Sequence, residues 1–175
     1  MHLPWRGMPP AEGAQPISTS LTVNEAAALA DLATGRDVLE VGSAFGFSAC
    51  VMALAGAKHV TAADPHTWLN SHEAMTANLD ACGVTDVVTV VRGTSPAALD
   101  GLGPFGLVFI DGDHAAEAVA ADVAAARAVL AQAKVVLVGP VAVLPVVVVA
   151  GRTRSSIPRM AKFPTRRRLA RSPTT

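Results

Sequence analysis

The sequence has no tyrosine, two cysteines and only 4% aromatic residues. A core without aromatic bulk must be built from Ala, Val and Leu, so it rests on many small contacts. Cys50 and Cys82 alone form no disulfide framework of the secreted kind, which makes a reducing, cytoplasmic setting the expectation. Charged residues are 16% against 51% from the AVILMFWYC set. That excludes a disordered chain, because disorder needs low hydrophobicity and high net charge. A membrane-spanning segment is also missing. The most hydrophobic run, 135–150, is interrupted by Gly139, Pro140 and Pro145, whereas a spanning helix wants ~20 apolar residues without such breaks. The run reads as buried, β-branched strand, and no membrane partner is expected. Nor does Met1 to Pro10, with three prolines and no apolar stretch, look like an export signal.

The formal net charge of zero conceals a split. Residues 1–150 carry six basic residues against all 14 acids, a net of −8, and residues 151–175 carry eight basic residues and no acid, a net of +8. Its 175 residues suffice for one domain with a sizeable core. The expected organisation is a Pro- and Gly-rich arm over 1–20, an α/β domain over 21–150, and a basic tail over 151–175. Eight like charges among Pro and Ser do not pack, so the tail reads as solvated and disordered. Nucleic acid is disfavoured as its partner, because beyond Phe163 no aromatic stacking platform accompanies the arginines. The apolar run 135–149 would be a sticky edge if uncovered, and a homodimer through it is the expected oligomer.

Along the chain, strand and helix patterns alternate. Thr22 and Glu25 have the spacing of a capping box and open a helix through Leu32. Short apolar strands are predicted over 37–41, 59–63, 87–91, 106–110 and 135–138. Between them run helices over 47–55, 71–81 and 115–132, with a short helix from Pro96. This order predicts a Rossmann-like, doubly wound, mostly parallel sheet with helices on both faces. Ligands of such sheets sit outside the carboxyl ends of the strands, at the switch in strand order. The polar residues collect at those ends: Glu40, Gly42 and Ser43 after the first strand, Asp64 after the second, Thr94 and Ser95 after the third, and Asp111 to His114 after the fourth.

The first turn, Glu40-Val-Gly42-Ser43-Ala-Phe-Gly46, departs from the G-x-G-x-x-G of dinucleotide sites. Its glycines are expected to let backbone approach a ligand. Glu40 beside a pyrophosphate would repel it, whereas a cofactor carrying an ammonium and a sulfonium would be welcomed. Asp64 can accept hydrogen bonds from both hydroxyls of a ribose, as in NAD and S-adenosylmethionine (SAM) sites. Glu40 and the glycine spacing favour SAM over an NAD-type enzyme. Simpler readings stand beside these: Asp64 as a turn residue before Pro65, and Asp111, Asp113 and His114 as a capping group for the following helix.

From about Ser18 to Leu130 the chain resembles class I SAM-dependent methyltransferases, in particular the small-molecule O-methyltransferase-like group. Glu40-Val-Gly42-Ser43-Ala-Phe-Gly46-Phe-Ser48 matches its first motif, Ala63-Asp64-Pro65-His66 its ribose-binding acid, and Phe109-Ile110-Asp111-Gly112-Asp113-His114 its fourth-strand motif. The resemblance implies that Gly42 and Gly46 line the methionine part and that Asp64 holds the ribose. It also puts Thr94 and Ser95 near the adenine, and Asp111 near the methionine amino group or a metal. A hydroxyl acceptor must lose its proton to a base or a bound cation. His114 is the candidate base, with Asp113 beside it, and Asp111 with Asp113 offers oxygen ligands of the kind Mg²⁺ takes. The metal-dependent relatives place a further acid or Asn after the fifth strand. Here no Asp, Glu, Asn or His occurs from Lys134 onward. The family's glycine turn before that strand is also replaced by Gln132-Ala133-Lys134. A departure from the family near Gln132, such as a reading-frame change would produce, is therefore expected. It leaves a SAM-binding protein without catalysis as the alternative.

Overall fold

The computed structural model describes residues 17–138 and 146–150. The arm before Ile17 and the basic tail lie outside the described residues. Helix α1 (Val23–Ala33) opens with the capping box: Thr22 Oγ1 accepts from the Glu25 N–H, and the Glu25 carboxylate accepts from the Thr22 N–H at 2.7 Å. Strand β1 (Asp37–Val41), helix α2 (Phe47–Leu54), strand β2 (His59–Asp64), helix α3 (Ser71–Ala81) and strand β3 (Val88–Arg92) follow. After a short 3₁₀ turn, Ala97–Leu99, come β4 (Phe105–Ile110), α4 (Ala116–Val129), β5 (Leu130–Val138) and β6 (Val146–Ala150).

The sheet order is β3-β2-β1-β4-β5-β6, with β1 to β5 paired in parallel and β6 antiparallel to β5. The chain leaves β1 toward β2 on one side and returns to β4 on the other, so the switch in strand order falls between β1 and β4. Alternation along the strands divides the core. Val38, Val60, Leu107 and Phe109 pack toward α1, α2 and α3. Leu39, Val41, Val108 and Ile110 pack toward α4 and the 3₁₀ turn. All of β4 is buried, as expected of a parallel strand covered on both faces.

Two boundaries differ from expectation. The helix predicted through Gln132 ends at Val129, and Leu130 passes directly into β5 opposite Phe105. Pairing with β4 overrides the helical preference of Leu-Ala-Gln, at the cost of a register shift between Phe105 and Leu107. The run read as one buried strand region instead supplies two antiparallel partners. Among the described residues no helix is long and apolar enough to cross a membrane.

Candidate active site

The carboxyl ends of β1 to β4 open into two adjoining cavities of about 500 and 440 Å³. Gly42, Ala44, Trp68, Asp111 and Gly112 line both and form the wall between them. The first cavity continues along Asp64, Thr94, Ser95, Asp113 and Asp122. The second runs along Ser18 to Leu21, Ser43, Phe45, Phe47, Ser48 and His114.

The glycines of the β1 loop serve the fold before any ligand. Gly42 has φ +89°, and a Cβ there would lie 2.5 Å from backbone atoms of Asp111 and Gly112. Gly46 has φ +84°, and its Cβ would lie 2.9 Å from Met75 Cγ. Both are thus needed for protein to approach protein; Gly42 also lines both cavities, whereas Gly46 lines neither. Between them Ala44 takes φ +45°, a conformation costing ~1 kcal/mol for a residue with a side chain. Its N–H donates to Asp64 Oδ2 at 2.9 Å, which holds the loop against β2.

Asp64 Oδ1 accepts the His66 N–H at 2.6 Å. The turn role and exposure to the first cavity coexist in this one side chain. His66 is buried with φ +49°, its Nδ1 3.2 Å from Ser71 Oγ and its Nε2 without a partner. Burial holds its pKa below the usual histidine range, so the ring is neutral at pH 7. It lines neither cavity, whereas Trp68 sits in the shared wall, its ring 5.8 Å from that of Phe45.

Glu40 is fully buried. It shares a strand face with Val38, which points it toward α2, where the Ser48 hydroxyl donates to its Oε1. Oε2 has no partner. Burial, reinforced by the charges of Asp111 and Asp64, outweighs the Ser48 hydrogen bond and pushes its pKa up to about 8. Glu40 is therefore mostly protonated at pH 7 and faces neither cavity. Glu40, expected beside the cofactor, lies behind Ser48 and reaches the second cavity through that residue, which lines it. Asp111 stands in the shared wall with Oδ1 buried and unpartnered. Burial raises its pKa to about 6, with His114 opposing and Glu25 adding to the rise, so it is mostly ionised at pH 7.

Asp113 and His114, adjacent in sequence, face different cavities. Asp113 is exposed, lines the first, and accepts the Ala115 N–H at 2.9 Å, as a helix-entry residue does. His114 is exposed and lines the second. Among the described residues no three His, Cys, Asp or Glu side chains could hold one ion, and the sequence supplies no such ligand after β5. Asp111 and Asp113 therefore do not make a site that fits Mg²⁺. Sequence reasoning missed Asp122, which is 3% exposed and receives the Ser95 hydroxyl at 2.5 Å. The available signal was an acid at a core-facing position of an Ala- and Val-rich helix, four residues before buried Ala126.

A family model described as "methyltransferase domain" matches residues 39–139. The chain belongs to this methyltransferase family. The match ends at residue 139, seven past Gln132, and residues 140–175 lie outside the family model, in keeping with the expected departure near that point. An NAD-type assignment is set aside with it. Among solved structures, cofactor-bound Rv0187 from MTB is 31% identical, with a TM-score of 0.61 over 68% of this chain and 56% of its own. An O-methyltransferase from Bacillus cereus in complex with SAH is 19% identical, with a TM-score of 0.61 over 68% and 57%. The O-methyltransferase TomG from Streptomyces achromogenes, in complex with SAM, is 22% identical, with a TM-score of 0.59 over 68% and 56%. The last two likenesses are of fold. This methyltransferase-family chain spans little more than half the length of these structures. No curated protein matches it.

Proposed function

We propose that this chain binds SAM along the first cavity and the shared wall, and transfers its methyl group to an oxygen of a small molecule in the second cavity. A nitrogen acceptor is the second choice. The observation that carries this reading is the meeting of Asp64, Thr94, Ser95 and Asp111 around one crevice at the switch point. When bound, SAM supplies an electrophilic methyl on a sulfonium. Asp64, already oriented by two backbone N–H groups, holds the ribose hydroxyls, and Thr94 and Ser95 face the base. Gly42, Ser43 and Ser48 border the methionine end, with Gly46 fixing the start of α2 and Glu40 positioning Ser48. Asp111 Oδ1, buried and unpartnered, accepts from the α-ammonium. His114, at the mouth of the second cavity, takes the acceptor's proton, with Asp113 holding the turn that presents it. Methyl transfer is an in-line displacement, so holding donor and acceptor in register supplies much of the rate.

Calorimetry on the full chain with SAM, its demethylated product S-adenosylhomocysteine (SAH), and NAD as control tests the reading. Wild type is expected to bind SAM and SAH and not NAD. Asp64→Asn, whose amide can accept only one of the two backbone N–H groups the carboxylate holds, is expected to lower the melting temperature somewhat while the protein stays folded at room temperature. It is expected to weaken SAH roughly 10- to 100-fold, the worth of hydrogen bonds to a charged acceptor. Absence of SAM and SAH binding in wild type overturns it. The lack of an acid, Asn or His after β5 favours a second reading, cofactor binding without catalysis. Tight SAH binding with no turnover of any small-molecule acceptor would select that one. A homodimer through β6, the last strand of the sheet, belongs to the same proposal and is tested by sedimentation.

A further inference from the structure

We propose that Asp122, oriented by Ser95, reads the exocyclic amino group of the cofactor's adenine and makes the site selective for a 6-amino over a 6-oxo purine. This inference rests on the SAM reading above. Asp122 and Ser95 line only the first cavity and take no part in the wall shared with the second. With the ribose at Asp64 and the methionine end at the shared wall, the base falls to the remaining lining, from Gly93 to Ser95 and along α4. On α4 the other lining residues are Ala118 and Ala121. Packing there needs only a methyl group, yet position 122 carries an acid that is 3% exposed.

A buried carboxylate is costly unless it is hydrogen-bonded. Among the described residues Asp122 has one hydrogen-bond partner, the Ser95 hydroxyl, which donates to Oδ1 at 2.5 Å and ties the turn after β3 to α4. A carboxylate has about four acceptor sites, so acceptor capacity remains at the cavity. The Thr94 hydroxyl can donate or accept and does not discriminate between bases, while the Ser95 hydroxyl, its proton given to Asp122, is left only to accept. The Asp122 carboxylate only accepts. It complements the 6-amino group of adenine and opposes the 6-oxo group of hypoxanthine, where two acceptors would face each other.

The test is calorimetry on the full chain with SAH and with its 6-oxo (inosine) analogue. Wild type is expected to bind SAH at least ~10-fold more tightly than the analogue, as hydrogen bonds to charged groups imply. Asp122→Asn, whose amide can donate, is expected to narrow that ratio to about unity or reverse it. Ser95→Ala, which frees the carboxylate from its orienting hydroxyl, is expected to cut the ratio severalfold and serves should Asp122→Asn not fold. Equal affinities in wild type overturn the inference. So does a variant that weakens both ligands equally, since that is the signature of a purely structural role. Wild type that binds SAH but fails these ratios leaves the SAM reading standing, whereas wild type that binds neither ligand overturns both.

Discussion

The two cavities share one wall and differ in what they offer a ligand. The first is edged by acids and hydroxyls: Asp64, Thr94, Ser95, Asp113 and Asp122. The second carries Phe45, Phe47 and the exposed His114, with serines at its rim. The difference follows from topology. The first lies over the carboxyl ends of β2, β3 and β4, where each strand ends in a polar turn. The second lies over the start of α2 and the segment before α1, where side chains continue the apolar cover of the sheet. One side is suited to a nucleoside with many hydrogen-bonding groups, the other to an acceptor held by shape and aromatic contact. Gly42 and Asp111 belong to both, so a change there is felt on both sides.

The largest expected effect separates the cavities chemically. His114→Ala is expected to lower turnover of an identified acceptor by roughly 10²- to 10⁴-fold, the usual worth of a general base, while SAH affinity changes less than about threefold. Equal losses in both measurements would place His114 on the nucleoside side instead. Next, Gly42→Ala breaks the wall itself. A Cβ at 2.5 Å from the backbone of Asp111 and Gly112, at φ +89°, is expected to cost about 3 kcal/mol and to lower the melting temperature by roughly 10 °C. An unchanged melt would mean that the ends of β1 and β4 can part cheaply.

An effect that depends on pH sharpens the role of Glu40. Its folded pKa of about 8 lies above the 4.5 of the unfolded chain. Between those values the folded state holds a proton that the unfolded state has released. The stability linked to Glu40 is thus fully present below pH 4.5 and is lost as pH rises through about 8. Asp111, raised from 3.8 to about 6, adds the same sign over a lower window. Glu40→Gln keeps the shape and cannot ionise. At pH 8 it is expected to be more stable than wild type by on the order of 4 kcal/mol, against about 1 kcal/mol near pH 5. Denaturant melts at the two pH values check this, and parallel curves for the two proteins would refute it.

Much of the fold was legible because its signals are local. Thr22 and Glu25 carry the α1 cap within four residues. The apolar runs at 37–41 and 105–110 are bounded by turns, and Gly83 follows α3 at Cys82. Where α4 gives way to β5 there is no such signal: nothing in Leu130-Ala131-Gln132 stops a helix, and only the free edge of β4 does. The site divides in the same way. Asp64, Thr94, Ser95 and Asp111 could be named because each ends or closely follows a strand, and the carboxyl ends of parallel strands lie along one edge of the sheet. Asp122 could not, because nothing local joins a mid-helix acid to Ser95, 27 residues earlier.

What the sequence alone determined, then, is the alternation of strands and helices and the row of polar residues at the strand ends, since both arise from periodicity and turn chemistry between near neighbours. Tertiary structure decided the rest. It turned Glu40 under α2, where burial holds its proton, and set Gly42 against the backbone of Gly112. It also sent the neighbours Asp113 and His114 into separate cavities. Burial and close backbone approach depend on which elements pack together, and residues far apart in the chain meet only once the sheet has formed.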